Sequence, residues 1–291
     1  MLSTDTATMQ PDTATMQPDT ATMQPDTATM QPDTATTQLD TADPGVSSVV
    51  VPPIGVARFS FLRRCYVNEF KSAVIVEFIG TFLLVLTVPL SSINNPEMAP
   101  FSVGFLLMSL VFSFGYMSGG HLNPMVSFAV FLSSANFGKT RMLFYFLAQM
   151  LGGVAAAFYC VLLHGNEFPV PNMGLNFVQM LRAFLAESVF TFVLTSVVLH
   201  VAVSKQRNNN FYGFAIGSAV LVGGLTCGSI SGGAFNPAVA TALIVVRCFV
   251  SFSESGCTPM ASLWVYWASE AVGSIVGTIL YLAVQNVEER F

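Results

Sequence analysis

The chain has 291 residues, of which 53% are hydrophobic and 9% charged, with a formal net charge of −5. A charged fraction far below the quarter or so usual in soluble domains excludes an ordinary soluble protein and points to a membrane protein. All seven Asp residues lie between Asp5 and Asp43; the remainder sets nine Glu against eleven Lys plus Arg and has no clustered basic surface of the kind that binds nucleic acid.

The chain opens on a heptapeptide, Asp-Thr-Ala-Thr-Met-Gln-Pro, repeated four times from Asp5 to Pro32 and decaying through Asp33 to Leu39. A period of seven suggests a coiled coil, but a Pro in every repeat removes a helical donor and no second apolar residue joins each Met. Residues 1–57 are therefore expected to be a disordered tail, and residues 58–291 the membrane domain. The tail has neither a basic start nor an apolar run, so it does not read as a signal peptide.

Six apolar stretches, at 72–92, 101–118, 142–163, 181–203, 211–230 and 261–285, are long enough to cross the hydrocarbon layer, which takes about 20 helical residues. Two shorter runs, Met125 to Leu132 and Ala238 to Val246, reach only half-way at about 1.5 Å per residue and read as half-helices. With six spans, Arg58, Arg63, Arg64, Lys71, Lys139, Arg141, Lys205, Arg207 and Arg290 share one side, leaving only Arg182 and Arg247 on the other. The positive-inside bias puts both termini in the cytoplasm and the segment from His164 to Asn176 outside. Five Cys show no metal-ligand spacing, and no cofactor or metal is expected; Cys248 and Cys257, both outside, either close a small disulfide loop or stay free.

Each short run is preceded by nearly the same words: Ser118-Gly-Gly-His-Leu-Asn-Pro124-Met125 and Ser231-Gly-Gly-Ala-Phe-Asn-Pro237-Ala238. Glu77-x-x-x-Thr81 of the first span likewise matches Glu187-x-x-x-Thr191 of the fourth. Three spans plus a half-helix are thus written twice, and an odd number of spans makes the second copy cross in the opposite sense, with a special site expected at the midplane. Non-helical backbone is tolerated there only where protein or a water-filled cavity satisfies it, so each box is the extended approach to a buried half-helix. Pro124 and Pro237 sit at the first helical position and Asn123 and Asn236 at the N-cap. Two positive dipole ends and two amide donors then converge on one point.

At these residues the chain resembles the aquaporin, or major intrinsic protein, superfamily over residues 70–285, with Gln149-x-x-Gly152-Gly153 and Tyr266-Trp267 as further matches. The resemblance implies an all-α membrane fold of six transmembrane helices plus two re-entrant half-helices in an inverted repeat. It also implies a homotetramer in the lipid bilayer, with a pore in each subunit that passes water past Asn123 and Asn236 and rejects cations at the half-helix ends. Counting from the boxes as the family does places the outer selectivity filter at Val103, Gly224, Gly233 and Val239, with neither the aromatic and His groups nor the Arg usual in water-selective members. The expected constriction is wider and more apolar, admitting small neutral solutes. Met125 replaces the usual Ala where half-helices pack. Ala240 stands where glycerol facilitators carry Asp, while Tyr266-Trp267 is typical of the water branch.

The resemblance gives Glu77 and Glu187 the duty of accepting hydrogen bonds from the re-entrant loops. Glu270 stands where the family commonly has Pro and echoes Gln149, leaving loop support and proton gating open; His121 is either structural or a pH sensor. Glycines 213, 217, 223, 224 and 228 read as close-packing surfaces. An intramembrane enzyme is not expected, since no Asp follows Asp43, no His follows His200 and His-Glu-x-x-His is absent. The alternatives to a water channel are a glycerol or solute facilitator of low water selectivity and a poorly conducting scaffold of the same fold. The expected location is a membrane, the plasma membrane ahead of an internal one.

Overall fold

The computed structural model describes residues 69–134, 136–251 and 258–285. The readings for residues 1–57, Arg58, Arg63, Arg64, Cys65, Cys257 and Arg290 lie outside the described residues. The described chain is all helical: α1 (Glu69–Asn94), α2 (Ala99–Ser118), α3 (Pro124–Ser133), α4 (Lys139–His164), α5 (Phe177–Val198), α6 (Tyr212–Ser231), α7 (Pro237–Val250) and α8 (Leu263–Val284). A π-helical turn, Leu199–Val203, continues α5, and short 3-10 turns cover Lys205–Asn208 and Thr258–Ser262.

Six helical segments of 20 to 27 residues are long and apolar enough to cross a membrane, and they coincide with the six predicted stretches to within a few residues. α3 and α7, at 10 and 14 residues, would rise about 15 and 21 Å. α7 outruns its predicted end because Arg247 is accommodated: its guanidinium leaves the helix to reach the Asn166 carbonyl, pairs with Glu167 and lies over the Phe168 ring. The fourth span is less regular than expected. Where α5 widens into its π turn, the Ser204 hydroxyl and the Asn209 amide donate to the carbonyls of His200 and Val201, groups the wider turn would otherwise leave unpaired.

Packing follows the inverted repeat. α1 lies on α4 as α5 lies on α8; α1 meets α2 as α5 meets α6; α2 and α6 close the ring against each other. Each half-helix packs against the third span of both repeats, α4 and α8. The close contacts are made by small residues, which let helix backbones approach where lipid gives no hydrophobic drive to associate. A Cβ on Gly152 would lie 2.4 Å from the Phe78 carbonyl oxygen, and one on Gly273 would lie 2.3 Å from that of Ser188. Gly217 is pressed in the same way onto the Gly104 carbonyl, at 2.5 Å. Outward, Leu162, Phe177, Phe214 and Ile279 are largely exposed, as side chains facing lipid should be.

Candidate functional site

Each re-entrant loop is built by the same local conformations. Gly119 and Gly232 end α2 and α6 at φ 93° and 89°, and Gly120 and Gly233 follow at 61° and 63°. Leu122 and Phe235 are the positive-φ residues other than Gly among the described residues, at 48° and 46°. Side chains in that region cost about 1–3 kcal/mol each and persist only where surroundings over-determine them. Here a buried carboxylate does so. Glu77 Oε1 accepts from the Ser118 hydroxyl (2.6 Å) and the His121 N–H (2.9 Å), and its Oε2 from the Leu122 N–H (2.7 Å). Glu187 repeats the set with Ser231 (2.6 Å), Ala234 N–H (3.0 Å) and Phe235 N–H (2.8 Å). Both glutamates are fully buried.

Tyrosines complete the support. Tyr145 donates to the Ser118 carbonyl (2.7 Å) and Tyr266 to the Ser231 carbonyl (2.5 Å). Gln149 donates from Nε2 to Glu77 Oε2 (2.8 Å) and to Ser127 (2.9 Å), while Glu270 accepts the Asn236 N–H (3.0 Å). The glutamates, Gln149 and Glu270 are expected from the sequence, whereas the roles of Ser118, Ser231 and Tyr145 emerge only in the structure. A signal was there: Tyr145-x-x-x-Gln149-x-x-Gly152 has the spacing of Tyr266-x-x-x-Glu270-x-x-Gly273.

At the loop ends Asn123 and Asn236 cap α3 and α7, their Oδ1 atoms accepting from the N–H groups of Met125 (2.9 Å) and Ala238 (3.0 Å). Each Nδ2 then reaches across the molecule: Asn123 donates to the Phe235 carbonyl (2.7 Å) and Asn236 to the Leu122 carbonyl (2.9 Å). A side-chain amide has two N–H groups. One is spent holding the two loops together, leaving the other on each Asn.

Both Asn residues line a single cavity of about 570 Å³ that passes between the loops. His121, Val126, Leu194, Val198 and Ile216 line one end; Ser92, Pro96, Glu97 and Pro171 line the other. All four predicted filter residues, Val103, Gly224, Gly233 and Val239, lie on its wall. Among these lining residues, side-chain N–H groups belong to His121, Asn123 and Asn236, and Glu97 is the acidic group. Each second-loop N–H from Gly232 to Asn236 is bonded to protein, whereas the carbonyls of Gly232, Gly233 and Ala234 meet no protein donor among the described residues. The half of the cavity toward Glu97 and Pro171 is therefore apolar side chain with acceptors and few donors.

Other predicted positions fall elsewhere. Met125 is buried and off the cavity wall, its carbonyl accepting from Ser274 (2.9 Å). Pro124, Pro237 and Ala238 are buried at the half-helix starts. Gly224 is both wall and packing surface, since a Cβ there would sit 2.9 Å from Pro100 Cβ; Pro100 takes up part of the room that glycine leaves. His121 bonds Ser127 through Nδ1 (3.0 Å) and packs tilted against Phe137 and edge-on against Tyr145, both under Arg141. Among the described residues no group of three or more metal-ligating side chains is present.

The arrangement has relatives. The family model described as Major intrinsic protein matches residues 64–281. Nodulin-26 of Glycine max is 32% identical over 233 residues, covering 76% of this chain and 80% of that protein. Aquaporin NIP1-1 of Arabidopsis thaliana is 28% identical, covering 76% of each. Among solved structures, the aquaglyceroporin from Plasmodium falciparum superposes with a TM-score of 0.61 at 21% identity, covering 74% of this chain and 96% of that one.

Proposed function

Because the chain belongs to the major intrinsic protein family, a family of channels and not of enzymes, we propose that it is a passive multi-pass channel for water and small uncharged solutes. The observation that carries this is the pair of Asn residues, each capping an opposed half-helix, each tied across to the other loop, and both on the wall of one cavity. A permeating water meets the free amide N–H of Asn123 and Asn236 at the junction and accepts from them, which turns its own hydrogens outward. A cation meets the same donors and two positive helix ends and is rejected.

Toward the outside, Val103, Gly224, Gly233 and Val239 form the filter in this reading. A wall with acceptors but without a fixed cation lets solutes larger than water shed hydration onto loop carbonyls, which supports passage of small neutral solutes as well as water. The relatives named as aquaporins and as an aquaglyceroporin carry both kinds of permeant in their names. The positive-inside bias of Lys139, Arg141, Lys205 and Arg207 supports a reading with both termini in the cytoplasm, and in this reading the subunit assembles as a homotetramer.

Purified protein in liposomes under an osmotic step is the test. Shrinkage well above the lipid rate, followed by re-swelling in glycerol or urea, is expected; shrinkage at the lipid rate would leave a scaffold of the same fold.

A further inference from the structure

The two halves of the molecule support their loops with almost the same groups, and they differ at one buried place. Glu77 receives four donors: Ser118, the N–H groups of His121 and Leu122, and Gln149 Nε2 on its Oε2. Glu187 receives three, from Ser231, Ala234 and Phe235, and the fourth is missing. The residue standing where that donor should come from is Glu270, four residues after Tyr266 as Gln149 is four after Tyr145. Glu270 is fully buried, its Oε1 takes the Asn236 N–H, and its Oε2 has no protein partner.

An ionised Glu270 would make this place hard to explain. It and Glu187 accept from the N–H groups of consecutive residues, Asn236 and Phe235, so two carboxylates would lie side by side. The ion pair seen among the described residues is Arg247 with Glu167, so no Lys or Arg compensates them. The other titratable groups nearby, Tyr266 on the same helix and Cys227 on α6, donate to the Ser231 and Gly223 carbonyls. α3 holds no titratable residue, and α7 carries Arg247 and Cys248 far along from Asn236. Two unpaired like charges out of water cannot both persist.

We propose that Glu270 is held as a neutral carboxylic acid whose Oε2–H donates to Glu187 Oε2, taking the part that Gln149 plays toward Glu77. One proton then accounts for both the missing fourth donor on Glu187 and the unpartnered oxygen on Glu270. It also bears on selectivity. Glu270 bonds the backbone of Asn236, the cap of α7, so a negative charge there would stand directly behind a positive half-helix end and offset the cation barrier. A neutral acid positions Asn236 without that cost, making Glu270 a positioning residue for the barrier.

Infrared difference spectra of the reconstituted full chain, wild type minus Glu270→Gln, test the proton without requiring conduction. A protonated-carboxyl C=O stretch present at neutral pH in wild type and lost in the variant is expected; its absence overturns the proposal, whatever the channel does. The functional arm rests on the channel reading above. Glu270→Gln supplies the same donor and acceptor and should keep wild-type water flux and cation exclusion, whereas Glu270→Leu, which supplies neither, should raise potassium leak several-fold. A Glu270→Gln protein that melts like wild type yet leaks potassium would show that the charge itself is needed, and would also overturn it.

Discussion

Asn236 concentrates three duties in one side chain: its Oδ1 caps α7, one N–H ties the loop to Leu122, and the other is left for the cavity. Asn236→Ala removes all three. Loss of an N-cap costs about 1 kcal/mol, so the protein should still fold. Flux is affected more, because water at the midplane is left with the Asn123 donor alone. Stopped-flow shrinkage of proteoliposomes should slow, or potassium leak should appear; an unchanged osmotic rate without leak would count against the junction as the barrier. Val239 is the complementary position. Val239→Arg would place donors opposite the bare carbonyls of Gly232, Gly233 and Ala234, narrowing the wall and depressing glycerol and urea flux more than water flux. An unchanged solute-to-water ratio in a folded variant would mean that the filter lies elsewhere, with Pro100 the next residue to vary.

At the scale of elements, the half-helices can exist because the long helices hold the loops from behind. α1 and α5 bring Glu77 and Glu187, α4 and α8 bring the tyrosines, and Gly152 and Gly273 set how closely these pairs approach. Replacing Gly152 by Leu drives a side chain into the Phe78 backbone and must part α1 from α4. Overpacking of this kind typically costs about 1–3 kcal/mol, and here it also pulls Glu77 from its loop. A melting temperature lowered by several degrees in detergent, together with reduced flux, is expected, and Gly273→Leu should behave alike; wild-type melting of either would contradict the packing described. Much of this was legible in the sequence. Run length set the spans, the doubled Ser-Gly-Gly-x-x-Asn-Pro set the half-helices and their caps, and the repeat offset set the inversion. What stayed hidden is what depends on contacts between distant residues. No local pattern says that Asn123 donates to Phe235, that Pro100 lies against Gly224, or that Arg247 can extend α7 by finding Glu167. The π turn after Val198 was equally invisible, because its apolar run continues without a break.

For the whole molecule, the inverted repeat gives two similar halves, and the differences between them locate the chemistry. One mouth has His121 beside an aromatic cluster with Arg141; the other has prolines, Glu97 and a wall poor in donors. Cys248, near the C-terminal end of α7, is disulfide-bonded, with its partner outside the described residues. Cys257 is the expected partner, and closing so short a loop contributes about 2–3 kcal/mol in the chain-entropy account. Non-reducing peptide mapping should find the two cysteines linked, and Cys248→Ser should melt lower; both recovered alkylated would contradict the bridge. In the proposed channel, water crosses through the cavity between the two loops. Val103→Cys places a thiol on that wall, whereas the native Cys160 and Cys227 are buried away from it. Osmotic shrinkage of proteoliposomes before and after a small methanethiosulfonate reagent tests it directly. The reagent should bring Val103→Cys toward the lipid rate, reversibly with a thiol reductant, and leave wild type unchanged; a modified Val103→Cys protein that conducts as before would show that water takes another route.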